Sequence, residues 1–105
     1  MTMTAPQLAI YERILAVVKA IGPFKEDPKK TSIHLTRTSA FAGVATRKDA
    51  LMLTIKSATD IPSPRIAKRE RASAHRWHLE VRLEKPSDVD RELKEWLKKA
   101  MELSA

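Results

Sequence analysis

Apolar side chains recur along this chain with two different periods. Near the beginning, Leu8, Tyr11, Ile14, Leu15, Val18 and Ile21 fall three or four residues apart, the spacing of one face of a helix. Thr4 is placed to cap that helix and Pro6 is tolerated in its first turn. Gly22, free to adopt a left-handed conformation, and Pro23, unable to continue a helix, predict an end near Ile21. The same period returns at the other end, where Val89, Leu93, Trp96, Leu97, Ala100 and Met101 form a stripe. Ser87 is the expected cap of this second helix, with Asp88 and Asp90 favouring its positive end.

Between the helices the period shortens to two. Phe24–Lys30 is charged, contains Pro28 and reads as a loop. In TSIHLTRT (31–38), Ile33 and Leu35 alternate with His34 and Thr36, which predicts a half-buried strand. AFAGVAT (40–46) suits a second strand with Phe41 its only large side chain and Gly43 marking a bulge or close packing. Arg47–Asp49 reads as a hairpin turn into ALMLTIKS (50–57), where Leu51, Leu53 and Ile55 alternate with Met52, Thr54 and Lys56. Pro62 and Pro64 make Ser57–Arg65 an exposed connection, and RIAKRER (65–71), with Ile66 its one large apolar residue, suits an edge strand. After a turn at ASAH (72–75), RWHLEVRL (76–83) points Trp77, Leu79, Val81 and Leu83 one way and Arg76, His78, Glu80 and Arg82 the other.

The expected fold is therefore α+β. It is an antiparallel sheet of four to five strands, flanked by an N-terminal and a C-terminal helix packed on one face, in a single domain over residues 1–105. Both tryptophans, Tyr11 and Phe41 are expected in its core. The opposite face is expected to expose His34, Thr36, Met52, Thr54, Lys56, Arg69, Arg71, Arg76, His78, Glu80 and Arg82.

Composition narrows the chemistry. The chain has no cysteine, which excludes disulfides, a thiolate nucleophile and cysteine-ligated zinc. Glu12, Arg13 and Lys19 interrupt its most hydrophobic segment, so no membrane association is expected, and the N-terminus lacks the pattern of a secretory signal, so a cytoplasmic location is expected. With only Gly22 and Gly43, neither a phosphate-binding loop nor a dinucleotide fingerprint is present, and no cofactor is expected. The three histidines, His34, His75 and His78, do not make a recognisable metal site, and no metal is expected.

The net charge of +7 is unevenly distributed. Residues 29–48 hold five basic residues and no acidic one, and residues 65–82 hold six basic against two acidic, while the two helices are close to neutral. The candidate binding residues are accordingly His34, Lys56, Arg69, Arg71, Arg76, His78, Glu80 and Arg82. The pair His78 and Glu80, two apart on one strand, is the only acid/base constellation, and no oriented nucleophile accompanies it.

Three runs, SIHLTRTSAFAGVATRKDALMLTI (32–55), SPRIAKRERASAHRWHLEVRL (63–83) and DVDRELKEWLKKAME (88–102), together with the first helix and its IGP ending, carry a family likeness over nearly the whole chain. The matching positions include Phe41 with Ala42, Arg47 with Lys48, Leu51, Leu53, the Pro64–Arg65–Ile66 run, His78 before a VRL, and Asp90 ahead of Leu93 and Trp96. The chain resembles the bacterial domain of unknown function family 5655, departing from it at Met101, where the family pattern has tyrosine. The resemblance implies an α+β fold and brings no activity or catalytic residue. The functional expectation is a non-enzymatic binding or interaction module, either a homodimer or a domain that docks on an acidic protein. The alternatives are weak, sequence-tolerant nucleic-acid binding through the basic sheet face, and an enzyme using His78 and Glu80.

Overall fold

The computed structural model describes residues 2–104. Helix α1 (Ala5–Ile21) is followed by strands β1 (Lys25–Pro28), β2 (Ile33–Thr36), β3 (Ala40–Arg47), β4 (Ala50–Ser57), β5 (Ile66–Ser73) and β6 (Arg76–Leu83). A 3-10 turn at Pro86–Asp88 leads into helix α2 (Arg91–Leu103). The strands make one antiparallel sheet in the order β1-β2-β3-β4-β6-β5. Although β5 and β6 are consecutive, β6 pairs with β4, so the connection 58–65 skips a strand position and places β5 at the edge.

The sheet has six strands rather than four or five. The additional one is β1, KEDP, which by composition reads as a loop. Its pairing with β2 from Lys25↔Thr36 to Pro28↔Ile33 needs only backbone groups, and Pro28, which has no N–H, stands last on an edge strand, where proline is tolerated. The Tyr11 hydroxyl of α1 donates to the Glu26 carboxylate and ties this edge to the helix. That contact and burial together push the phenol well above its ordinary range, burial being the larger cause.

Helix α1 begins as expected, with a capping box in which the Thr4 hydroxyl accepts from Gln7 N (3.3 Å) and Thr4 N donates to Gln7 Oε1 (2.9 Å). Its buried face is rotated from the expected stripe: Gln7, Ile10, Tyr11, Ile14 and Val18 are buried, whereas Leu8 is 46% exposed. A polar residue is accommodated inside because Gln7 Nε2 donates to the carbonyls of Arg47 (2.8 Å) and Ala50 (3.1 Å), which flank the β3–β4 turn. Gly22 is extended (φ 174°) rather than left-handed, so the helix ends on Pro23 and not on a glycine conformation.

Turn residues Lys48 and Asp49 join β3 to β4, with Asp49 in the left-handed region (φ 56°), which aspartate tolerates better than most residues. In β4 and β6 the alternation is kept without interruption from Leu51↔Leu83 to Ser57↔Trp77. Leu51, Leu53, Ile55, Leu79, Val81 and Leu83 are buried, and they share one cluster with Ile10, Ile14 and Val18 of α1 and Leu93, Leu97 and Met101 of α2. Trp77 and Trp96 are only half-buried at its margin, each with an arginine over its ring: Arg71 at 5.7 Å and Arg65 at 5.6 Å.

The cap of α2 is Asp90, whose carboxylate accepts from Leu93 N at 3.1 Å. Ser87 lies one turn too early, inside the 3-10 turn, so it does not serve as the cap. Asp88 Oδ2 instead accepts from the backbone N–H groups of Glu84 (2.9 Å) and Lys85 (3.3 Å), which sets the preceding bend. Arg65 joins this corner, donating to Asp90 (2.9 Å), Glu92 (3.0 Å) and the Asp88 carbonyl (2.7 Å). For the Asp90 carboxyl, partial loss of hydration acts upward, but the Leu93 N–H and the Arg65 guanidinium outweigh it and hold the group below its ordinary value.

Two stability predictions follow from these contacts. Gln7→Ala should lower the unfolding free energy by about 2 kcal/mol in urea, because it removes two hydrogen bonds and the packing of a buried side chain, whereas Leu8→Ala should change it by less than about 0.5 kcal/mol. Equal costs would contradict the rotated buried face. At pH 7, Asp90→Ala should cost about 1 kcal/mol for the lost cap, and Asp90→Asn, which keeps a capping oxygen, only a few tenths for the exposed ion pair. Because the folded carboxyl binds its proton less readily than the unfolded one, that contribution is complete above about pH 4 and fades as pH falls through the lower folded value. The gap between the native chain and Asp90→Asn should therefore narrow as the pH is taken into acid, and a gap that acid leaves unchanged would contradict the assignment.

Candidate functional site

Cross-strand partners in an antiparallel pair share a face, so the register shows which side chains lie opposite the core. One row runs His34↔Gly43, Gly43↔Thr54, Thr54↔Glu80 and Glu80↔Lys68 across five strands, and the next runs Lys56↔His78 and His78↔Glu70. Met52 and Arg82 make a third pair on the same side. This face therefore holds most of the residues singled out in the sequence: His34, Lys56, Arg76, His78, Glu80 and Arg82.

Arg69 and Arg71 are exceptions. They pair with Leu79 and Trp77 and so lie on the side of the core, at the sheet's edge. The cause is a bulge between Ile66 and Lys68, which inserts one residue into β5 and reverses the facing of those that follow. Arg69 is engaged with the connection before its own strand, pairing with Asp60 (2.8 Å) and donating to the carbonyls of Ile61 (3.0 Å) and Ser63 (3.2 Å). Arg71 lies over Trp77 and donates to the carbonyls of Ser73 (3.2 Å) and Ala74 (3.3 Å). In their place the bulge brings Lys68 and Glu70 to the face opposite the core.

The His78 and Glu80 pair is not drawn together. Glu80 lies 3.9 Å from Lys68 Nζ, and the carboxylate nearest His78 is Glu70, with Oε1 3.8 Å from Nδ1. Arg82 reaches Glu84 (3.4 Å) and the Lys48 carbonyl (3.0 Å), and Arg76 donates to the carbonyl of His75 (2.9 Å).

What the face does contain is a hollow of about 290 Å3. His34, Lys56, His78, Thr54 and Ser32 supply its polar side chains, and Ala40, Phe41, Gly43, Ala45 and their neighbours on β3 supply an apolar floor. No carboxylate lines it. Two features of β3 make room for it. At Gly43 there is no side chain, and a Cβ there would stand 3.7 Å from His34 Cδ2, an ordinary contact, so the imidazole flanks this position and any larger side chain would extend into the hollow. At Phe41 the register with β2 slips, Leu35 pairing with Ala42 and Thr36 with Ala40, so the strand bends beside the hollow.

Lys56 is positioned from two sides. Its ammonium donates to Ser104 Oγ (2.8 Å), at the C-terminal end of α2, and to Ser39 Oγ (3.0 Å), just before β3. A lysine has three N–H donors, so one is left beyond these two bonds. Partial burial, and secondly the neighbouring charge of Arg76, hold the ammonium below the usual lysine range. Ser104 and Ser39 carried no signal in the sequence, because the contact joins residues 48 and 17 positions from Lys56.

Among the described residues no group of three or more His, Asp or Glu converges as a metal-ligand set, and no helix is long and apolar enough to cross a membrane. Comparison with curated proteins and with solved structures returns no match. A family model does match, over residues 3–104: that of the Domain of unknown function (DUF5655). With the match spanning nearly its whole length, the chain belongs to the DUF5655 family.

Proposed function

We propose that this domain is a non-enzymatic binding module that takes an anionic group into the hollow, with both helices packed on the other face of the sheet as rigid support. The observation that carries this reading is the lining itself: His34, Lys56 and His78 all offer N–H donors, and no carboxylate is among the lining residues. A largely apolar cavity carrying a few polar groups is the common form of a ligand site.

The competing readings find less support. A nucleic-acid surface needs phosphate-binding cations along a face and rings on which bases stack. Arg69 and Arg71 lie on the other side of the sheet, and Arg71 covers Trp77. An isologous homodimer through this face would bring together two copies of a surface whose cations on β4, β5 and β6, Lys56, Lys68, Arg76 and Arg82, outnumber the carboxylates there, Glu70 and Glu80, so an acidic partner suits the face better than a second copy. An acid/base enzyme built on His78 with Glu80 lacks the pairing it requires.

The test is a titration at low ionic strength with acetate, inorganic phosphate and a glutamate-rich peptide, followed through the imidazole proton resonances. The chain has three histidines, and His75, exposed in the β5–β6 turn, is an internal control. His34 and His78 should shift with saturation while His75 stays in place. Gly43→Val, which fills the hollow at a strand position that suits valine, should abolish the shifts and leave the fold stable. Replacing Arg69 and Arg71 with glutamine should leave the titration unchanged. Equal responses from all three histidines, or none from His34 and His78 with any of the anions, would sink the proposal.

A further inference from the structure

The polar groups of the hollow are not gathered at one point. His34 stands on β2, and Lys56 and His78 form a cross-strand pair on β4 and β6. Two strand steps separate β2 from β4 and three separate it from β6, about 10 and 14 Å between backbones at the ordinary spacing. On β3 the ground between them is apolar: Gly43, the register partner of His34, and Ala40, both lining the hollow, offer no polar side chain, and Thr54 on β4 contributes one hydroxyl. A single small anion bonded to Lys56 and His78 would leave His34 without a partner, and one bonded to His34 would leave the other two.

From this separation we infer that the ligand is a small molecule with an anionic group at each end of a short apolar chain, an α,ω-dicarboxylate or a compound of the same form. One carboxylate is bound by His34. The other is bound by the remaining donor of Lys56 together with His78, and the apolar chain lies over Gly43 and Ala40. The inference rests on the anion-binding reading above and specifies its ligand.

The surrounding charges fit this arrangement. Asp27 on β1 is the register partner of His34, and Glu70 on β5 is the register partner of His78. Both belong to strands outside the hollow, and neither lines it. Glu70 stands at the Nδ1 edge of His78, which leaves Nε2 as the nitrogen for a ligand. Asp27 is occupied by Lys29 at 2.9 Å, and Glu80 stands 3.9 Å from Lys68, so the nearby acids have counter-charges of their own. A volume of about 290 Å3 accommodates a small organic acid and not a folded partner.

The experiment is calorimetry of the full chain at low ionic strength with straight-chain dicarboxylates of increasing length, each compared with the monocarboxylate of equal length. The expected result is an optimum length at which the dicarboxylate binds about tenfold more tightly than its monocarboxylate, the gain of a second charge-assisted contact. His34→Gln and His78→Gln, both at solvent-accessible positions where the fold is not at stake, should each reduce the dicarboxylate to the affinity of the monocarboxylate. Dicarboxylates that bind no better than monocarboxylates at any length, while His34 and His78 still respond to acetate, would overturn the two-ended ligand and leave the anion site standing. No heat from either series, with silent histidines, would overturn both.

Discussion

The pairing of β4 with β6 is the constraint on which the remainder of the structure depends. Over the stretch from Leu51↔Leu83 to Ile55↔Leu79 every second pair is apolar and buried, and every pair between is polar or half-exposed. A shift of one residue would carry Leu51, Leu53, Ile55, Leu79, Val81 and Leu83 to the wrong side together, so the register has a single low-energy solution. Once these two strands are set, β3 follows through a two-residue turn, β5 through the turn at His75, and the leucines of α2 have one apolar surface to cover. The hollow is the other side of the same arrangement, because Thr54, Lys56 and His78 alternate with the buried residues.

This explains which parts could be read from the sequence. Strands β4 and β6 were legible to the residue because each alternates without interruption, and the fold class, the helix limits near Ile21 and the edge position of β5 followed from equally local signals. Features that depend on distant partners were not legible. Gln7 looks like a surface residue until the carbonyls of Arg47 and Ala50, forty or more positions away, are brought to it. Strand β1 has no apolar period at all, since its place is set by backbone pairing with β2 and by Tyr11.

The misplaced arginines follow from a single extra residue. Counting from buried Ile66 at a strict period of two sends Lys68 and Glu70 inward and Arg69 and Arg71 outward. The bulge after Ile66 reverses that phase, giving Lys68↔Glu80 and Arg69↔Leu79. Nothing in the IAKRER run marks a bulge, because only one of its residues has a strong preference for either face. A periodic argument gains certainty from each large apolar residue it includes, and β5 supplies one.

The bulge also alters the meaning of the net charge. Of the arginines between residues 65 and 82, each donates to at least one backbone carbonyl: Arg65 to Asp88, Arg69 to Ile61 and Ser63, Arg71 to Ser73 and Ala74, Arg76 to His75 and Arg82 to Lys48. A guanidinium with five donors in a plane suits this work, holding turns and the crossing connection whose carbonyls have no strand to pair with. A segment that by count resembles a phosphate-binding surface thus uses much of its hydrogen-bonding capacity within the fold. What remains directed at the hollow are two imidazoles and one ammonium, three weaker and more selective donors. On the proposed reading, affinity there would come from shape and from the distance between contacts rather than from accumulated charge, and for that the absence of a side chain at Gly43 would matter as much as any cation on the face.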